Sequence, residues 1–226
     1  MTAAAVIFDL DGVLVDSEQV WDEVREALAR ERGGRWHPGA QRDMMGMSSI
    51  EWSRYMSDEL GVALTPEEVS TEVVRRVEER YRDELPLLPG AVEAVRRIAE
   101  RWPLGLASSS NRPIIDLVLE LAGIDELFEV TVSSEEVGRG KPAPDVYLEA
   151  ASRLGAEPRR AAAIEDSTNG LLAARAADLA VIAVPNRAFP PDPAALEVVD
   201  VALDSLDGLS PRVIEDVVSR RAGVSP

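Results

Sequence analysis

Four places in the chain put carboxylates, hydroxyls or a lone ammonium where chemistry could be done. The first is Asp9-Leu10-Asp11-Gly12, directly after the apolar run Ala4–Phe8. Two acids two residues apart at a strand end repel one another, which raises a pKa unless a cation lies between them. Mg2+ favours such hard oxygen ligands, and a carboxylate can also attack phosphorus to form an acyl phosphate. Gly12 permits a tight turn immediately beyond. An ordinary strand-end turn with solvated acids would explain the same residues. An EF-hand loop fits poorly, because its acidic spacing and closing Glu are not aligned and a β-like run precedes it. The second place is Ser108-Ser109-Ser110-Asn111, ahead of a helix-like segment. Hydroxyls and free N–H groups there make an anion cradle, or simply a helix cap. The third is Glu165-Asp166-Ser167, a second acidic pair after a β-like run. It could lie beside Asp9 and Asp11 or merely cap the next helix. The fourth, Gly140-Lys141-Pro142-Ala143-Pro144-Asp145, holds the only lysine of a chain whose other cations are arginine. A P-loop is excluded, since Glu135 stands at its first glycine and Pro142 replaces its Ser/Thr. A compact point charge among carboxylates and phosphate is a task Arg does poorly; a plain surface lysine is the alternative.

These residues need elements to position them. Short β-like runs occur at Ala4–Phe8, Leu104–Ala107, Val130–Val132, Ala161–Ile164, Ala180–Val184 and, more weakly, Val201–Leu203. Helix-period segments lie between most of them: Pro89–Arg101 with Val92, Val95, Ile98 and Ala99 on one face, then Arg112–Ala122, Ala143–Leu154 and Asn169–Ala177. Alternation of this kind predicts an α/β fold, a parallel sheet covered on both faces. Chemistry in such sheets collects at the carboxyl ends of the strands.

One region breaks the alternation. From Ser17 to about Glu84 there is no convincing strand. Glu18–Arg32 is helical in period, with Val20, Val24, Ala27 and Leu28 on one side, and Ser49–Leu60 is a second helix. Thr65-Pro66-Glu67-Glu68 combines a cap, Pro at the first position and acids in the first turn, so a third helix starts there and runs towards Arg82. The expected division is a core of residues 1–16 and 86–226 with an all-α insertion over 17–85. The joins near Val15–Glu18 and Leu85–Gly90 are candidate hinges. Pro185–Pro193, with four prolines in nine residues, reads as a rigid loop.

Composition narrows the function. The 226 residues carry 24 Lys+Arg against 41 Asp+Glu, a net charge of −17, and 46% are apolar. That is a globular balance. The acidity argues against nucleic acid, which needs a basic face, and against an anionic membrane surface. With no cysteine, disulfides, thiolate catalysis and cysteine metal sites are ruled out. Ala3–Phe8 lacks a basic flank and stops at Asp9, unlike a signal peptide, and no run approaches the ~18 apolar residues of a membrane span. A cytoplasmic protein is expected.

Taken together, the four segments resemble the motifs of the haloacid dehalogenase (HAD) superfamily. Asp9-Leu10-Asp11-Gly12 looks like its first motif, Ser108 its second, Lys141 its third and Glu165-Asp166 its fourth, in the family's order and over nearly the whole chain. The runs Asp16-Ser17-Glu18, Gly140–Asp145 and Ile164–Ser167 resemble the β-phosphoglucomutase-like branch. The helical insertion resembles that branch's C1 cap on a Rossmann-like core.

The resemblance implies that Asp9 is the nucleophile and Asp11 the general acid and base. It implies Mg2+ held by Asp9, Asp166, Glu165 and the backbone carbonyl of Asp11, and phosphate bound by Ser108, Ser109 and Lys141. Cap residues expected to meet the leaving group are Glu18, Trp21, Met45, Met47, Ser48 and Trp52, although the Met and Trp residues could equally pack cap against core. Dehalogenase chemistry is disfavoured because those enzymes lack the second acid of the first motif. A phosphonoacetaldehyde hydrolase would need a cap lysine, and Lys141 is the only lysine. The cap His and cap Arg of β-phosphoglucomutases correspond to Trp21 and Ser49; Arg42 or Arg54 could substitute for that Arg, which leaves a mutase as the second reading. The first is a phosphatase for a small phosphorylated metabolite, resembling bacterial sugar- and polyol-phosphate phosphatases and expected to be a monomer. A non-catalytic binding or regulatory protein is the alternative of another class. His37 and the pairs Arg75-Arg76 and Arg96-Arg97 read as solvated surface.

Overall fold

A computed structural model of the chain describes residues 3–44, 47–186 and 189–221. Six parallel strands form one sheet: β1 (Ala5–Phe8), β2 (Leu104–Ser108), β3 (Phe128–Ser133), β4 (Ala161–Glu165), β5 (Ala180–Ala183) and β6 (Val201–Ala202), in the order β3-β2-β1-β4-β5-β6. The first, second, fourth and fifth are buried along their whole length. This is the near-continuous apolar run expected of a parallel strand covered on both faces.

The helices between the strands are α5 (Ala91–Ala99), α6 (Arg112–Ala122), α7 (Asp145–Arg153) and α8 (Thr168–Ala176). Strand order places the topological switch at β1 and β4: the chain steps from β1 to β2 and β3 on one side, then returns to β4 on the other. Phe8 is paired with Leu106 and with Ile164, so the residues that follow β1 and β4 emerge side by side. The crevice outside the carboxyl ends of the strands at such a switch is where α/β sheets bind ligands.

Between β1 and α5 the chain is helical: α1 (Glu18–Glu31), α2 (Ala40–Met44), α3 (Ser49–Asp58) and α4 (Pro66–Asp83). Helix α4 buries Val69, Val73, Val77 and Tyr81, a strict four-residue stripe that packs on α1 and α3. Its start is the expected capping box: Thr65 and Glu68 satisfy one another's orphan groups, with Thr65 N–H donating to Glu68 Oε2 at 2.9 Å and Glu68 N–H to Thr65 Oγ1 at 3.3 Å. Where the chain leaves and re-enters the sheet region it runs alongside itself. Val15 bridges Leu87 in antiparallel fashion, Asp16 N–H donates to Pro86 at 2.8 Å and Leu88 N–H to Leu14 at 2.9 Å.

Three details differ from the sequence reading. On α1, Ala27 is exposed, and Trp21, Arg25 and Ala29 are buried with Val24 and Leu28; the buried face turns further around the helix because a guanidinium joins it. Helices α2, α9 (Pro193–Leu196) and α10 (Pro211–Arg221) were not anticipated, although Ile214, Val217 and Val218 give α10 a buried face. Arg97 is not a solvated cation: it donates to the carbonyls of Leu206 and Leu209, both at 2.9 Å, and ties the C-terminal segment to α5. Among the described residues no helix is long and apolar enough to cross a membrane.

Candidate active site

Asp9 is the first residue past β1, and its N–H donates to the Ile164 carbonyl at 3.0 Å. That bond carries the sheet register one step further and sets Asp9 beside Glu165, the last residue of β4. Glu165 is wholly buried, Asp9 is 5% exposed and Asp166 7%. Carboxylate oxygens of these three lie within 4.8 Å of one another. Lys141 closes the cluster from the loop before α7. Its Nζ donates to Asp9 Oδ1 at 2.8 Å and to Glu165 Oε1 at 2.6 Å, and it lies 5.0 Å from the centre of the Tyr147 ring.

Glu165 is the most heavily tied of the three. It also accepts from the Tyr147 hydroxyl at 2.9 Å, the Asp166 N–H at 3.0 Å, and the Ser167 N–H and hydroxyl at 3.1 Å. Two glycines make room for the acids. A Cβ at Gly170 would stand 1.7 Å from Glu165 Oε1, and one at Gly12 2.0 Å from Asp166 Oδ2. Gly12 also has φ +80°, in the left-handed region open to glycine.

Burial dominates the electrostatics. It pushes the Asp9 carboxyl up to about 8, with the neighbouring acids adding to the effect and the Lys141 ammonium opposing it. Asp166 is raised for the same reason, Glu165 and Asp9 contributing after burial. Three buried acids share one ammonium, and Asp166 Oδ1 is a buried carboxylate oxygen with no hydrogen-bond partner. An orphaned acceptor in an all-oxygen donor set fits a small hard divalent cation, whose charge would return these groups to their ionised form.

Asp11 is held apart from that cluster. Its Oδ2 accepts from the Ser110 hydroxyl at 2.6 Å, with Ser108 Oγ at 3.5 Å, and its Oδ1 has no partner. Ser108 is wholly buried, and its hydroxyl takes the Ser110 N–H at 2.9 Å; it braces the loop from beneath. Ser109 and Ser110 face the cavity.

That cavity measures about 550 Å³. Asp9, Asp11, Lys141 and Asp166 line its floor, and Glu18, Trp21, Arg25, Arg42, Met47 and Trp52 line the opposite wall from the helical segment. Phe189 to Asp192 contribute a third side. Of the residues expected at the leaving group, Glu18, Trp21, Met47 and Trp52 are therefore at the wall. Ser48 is not; its N–H and hydroxyl donate to Glu51 Oε2 at 2.8 and 2.7 Å, capping α3. Met45 lies outside the described residues. Arg42 reaches the wall and Arg54 does not.

Several participants escaped the sequence reading. Tyr147, Gly170, Arg25 and Gln41 carry no signal by type and spacing alone, although Tyr147 and Gly170 follow the lysine and the second acidic pair at short intervals; Ser110 stood in the hydroxyl run, but nothing there singled it out as the partner of Asp11. Ser49, at the position of the mutase cap Arg, instead donates its hydroxyl to Glu135 Oε1 at 2.8 Å, and Glu135 also accepts from Asn111 Nδ2 at 2.8 Å. This links the start of α3 to the start of α6.

The comparisons agree with this geometry. The family described as haloacid dehalogenase-like hydrolase matches residues 3–178. Hexitol phosphatase B of Escherichia coli (strain K12) is 33% identical over 225 residues, covering 91% of this chain and 94% of that protein. The phosphorylated carbohydrates phosphatase of Thermotoga maritima is 30% identical over 177 residues, covering 77% of this chain and 82% of that protein. Among solved structures, β-phosphoglucomutase from Clostridium difficile superimposes with a TM-score of 0.84 at 22% identity, over 99% of this chain and 100% of that one, a likeness of fold.

Proposed function

The chain belongs to the haloacid dehalogenase-like hydrolases, and we propose that it is a Mg2+-dependent phosphatase that hydrolyses a small sugar or polyol phosphate through an aspartyl phosphate on Asp9. The observation that carries this is the floor of the cavity. A buried carboxylate, paired by one oxygen to a buried lysine, stands beside two further acids. The relatives named for hexitol and carbohydrate phosphates support the substrate class.

Asp9, Glu165 and Asp166 would hold the cation, with the Asp11 carbonyl as a further ligand. Bound there, it would neutralise charge on the phosphoryl oxygens. Lys141 holds Asp9 Oδ1 at 2.8 Å, which leaves Oδ2 to attack phosphorus. As that bond forms, the bond from phosphorus to the leaving oxygen breaks, and Asp11 gives that oxygen its proton. Asp11 then takes a proton from water. The water oxygen attacks the aspartyl phosphate, and inorganic phosphate departs with Asp9 restored. Ser108, Ser109 and Lys141 bind the phosphoryl oxygens, with Ser110 beside them at the cavity.

Residues 17–85 form a cap over a core of 1–16 and 86–226, and its wall residues Glu18, Trp21, Met47 and Trp52, with Met45, select the leaving group. Closure of the cap excludes water from the first step; the paired segments at Val15 and Leu87 are its hinge. We further propose a cytoplasmic monomer; its net charge of −17 argues against binding to nucleic acid or to an anionic membrane.

The test is phosphate release from a panel of sugar, polyol, nucleotide and small-acid monophosphates, with Mg2+ or EDTA, for wild type and Asp9→Asn. Mg2+-dependent release that disappears in the variant is expected. No turnover by a folded wild type would refute the reading. Arg42 at the cavity wall is the one observation that favours a mutase, which would isomerise β-glucose 1-phosphate without net phosphate release.

A further inference from the structure

The cavity wall opposite Asp9 contains a buried cation that the phosphatase reading leaves without a task. Arg25 is 6% exposed. Glu18, Trp21 and Arg25 are spaced i, i+3 and i+7 on α1, so they share one helix face, and all three line the cavity. The Arg25 guanidinium carbon sits 4.7 Å from the centre of the Trp21 ring and 4.8 Å from that of Trp52. The two rings are 5.9 Å apart at 65°. Burial draws its pKa down to about 10, so it is charged at neutral pH. Among the described residues it makes no ion pair, and its Nε has no hydrogen-bond partner. Glu18, Asp11 and Asp22 act on it through space without a direct contact, and a buried charge with aromatic walls and no directly paired carboxylate is expensive, which makes it available to a ligand.

The one side-chain hydrogen bond it makes among the described residues identifies what kind. Arg25 Nη1 donates to Gln41 Oε1 at 3.3 Å, while Gln41 Nε2 donates to Glu18 Oε2 at 2.6 Å and to the Glu18 carbonyl at 3.3 Å. Gln41 is itself buried and stands behind the wall, clipping a donor and an acceptor into fixed relation. A hydroxyl group both donates and accepts, so a side-by-side acceptor and donor match a polyhydroxylated chain. An anionic tail would meet the Glu18 carboxylate as well as the guanidinium. We propose that Glu18 and Arg25, held in register by Gln41 as a positioning residue, read the hydroxyl groups of the leaving group and make the substrate a polyol phosphate or open-chain sugar phosphate. This rests on the phosphatase reading above, and it names residues for the leaving-group selection that reading assigns to the cap.

The experiment measures kcat and KM for sorbitol 6-phosphate, n-hexyl phosphate, 6-phosphogluconate and 4-nitrophenyl phosphate, with Mg2+, for wild type, Gln41→Leu and Arg25→Gln. Wild type is expected to favour sorbitol 6-phosphate over n-hexyl phosphate at least ~100-fold in kcat/KM. Gln41→Leu should cut that ratio roughly tenfold or more, mainly through the KM of the polyol substrate. An equal loss on both substrates would mark Gln41 as merely structural and overturn the inference. Should Gln41→Leu fail to fold, the wild-type ratio decides alone, and hydrolysis without preference for the polyol overturns it. Preference for 6-phosphogluconate that Arg25→Gln erases would also overturn it, by assigning the cation to a carboxylate. Turnover of 4-nitrophenyl phosphate in any of these cases leaves the phosphatase reading standing; no turnover of any substrate removes both.

Discussion

Replacing Lys141 by Met removes the one ammonium among three buried acids and keeps the length of the side chain. Lys141 makes ion pairs of 2.8 Å to Asp9 and 2.6 Å to Glu165. Coulomb's law at an effective dielectric of 20 gives roughly 6 kcal/mol for each pair, but the full sum is not what the variant loses. Desolvation of the ammonium is regained, and a stranded carboxylate escapes by taking up a proton. Removing one partner of a buried pair typically costs about 3–5 kcal/mol, because it leaves an uncompensated buried charge. Burial holds the Asp9 carboxyl up at about 8 with the Lys141 ammonium opposing it, so below that pH Asp9 keeps its proton and loses little, while above it Asp9 must ionise without its cation. The four other hydrogen bonds to Glu165 support that carboxylate in the variant. The expectation is a destabilisation of about 2–4 kcal/mol at about pH 9 that is smaller at about pH 6. Urea denaturation of wild type and Lys141→Met in EDTA at both pH values measures it. A destabilisation of the same size at both would refute the argument that proton uptake limits the cost.

Three further outcomes follow from the same cluster. Gly170→Ala puts a methyl 1.7 Å from Glu165 Oε1, so the carboxylate must move; Mg2+ affinity by calorimetry should fall about 10- to 100-fold, and an unchanged affinity would mean Glu165 does not support the cation. Tyr147→Phe deletes the hydroxyl that donates to Glu165 at 2.9 Å, and should cost about 1 kcal/mol in urea denaturation and a severalfold rise in the Mg2+ concentration for half-maximal activity. The Asp9 carboxyl, raised from 3.8 to about 8 when folded, binds its proton more tightly in the native state. In EDTA, thermal stability should therefore decline as pH rises from about 4 to 8. Saturating Mg2+ should flatten that slope, because the cation favours the ionised acid; an EDTA profile that rises over this window would contradict the assigned direction.

Much of the architecture was legible before any coordinates. All six strands lie where short apolar runs stand between turn residues, and α6 spans Arg112–Ala122 as the period predicts. The Thr65 capping box marks the start of α4 because its residues act only on neighbours in the chain. The acids at Asp9, Asp11, Glu165 and Asp166 were legible because they follow strands, and parallel strands deliver their ends to one edge. The missing helices had weaker signals. Helix α2 is five residues long, too short for a period to register, and α10 has its apolar residues at helical spacing but follows the last weak strand of the chain.

What the sequence by itself determined were the identities and order of the reactive groups and the local elements that carry them, since period, caps and turns are short-range interactions. Only the tertiary structure decided how those groups meet. That Lys141 pairs with Asp9 and Glu165, that Ser110 rather than Ser108 makes the short bond to Asp11, and that Ser48 caps a helix while Arg25 faces the cavity depend on sheet register and on the packing of α1 against α3 and α4. Such contacts join residues up to 132 positions apart. Their energies depend on burial and distance in space, and neither is a function of spacing along the chain.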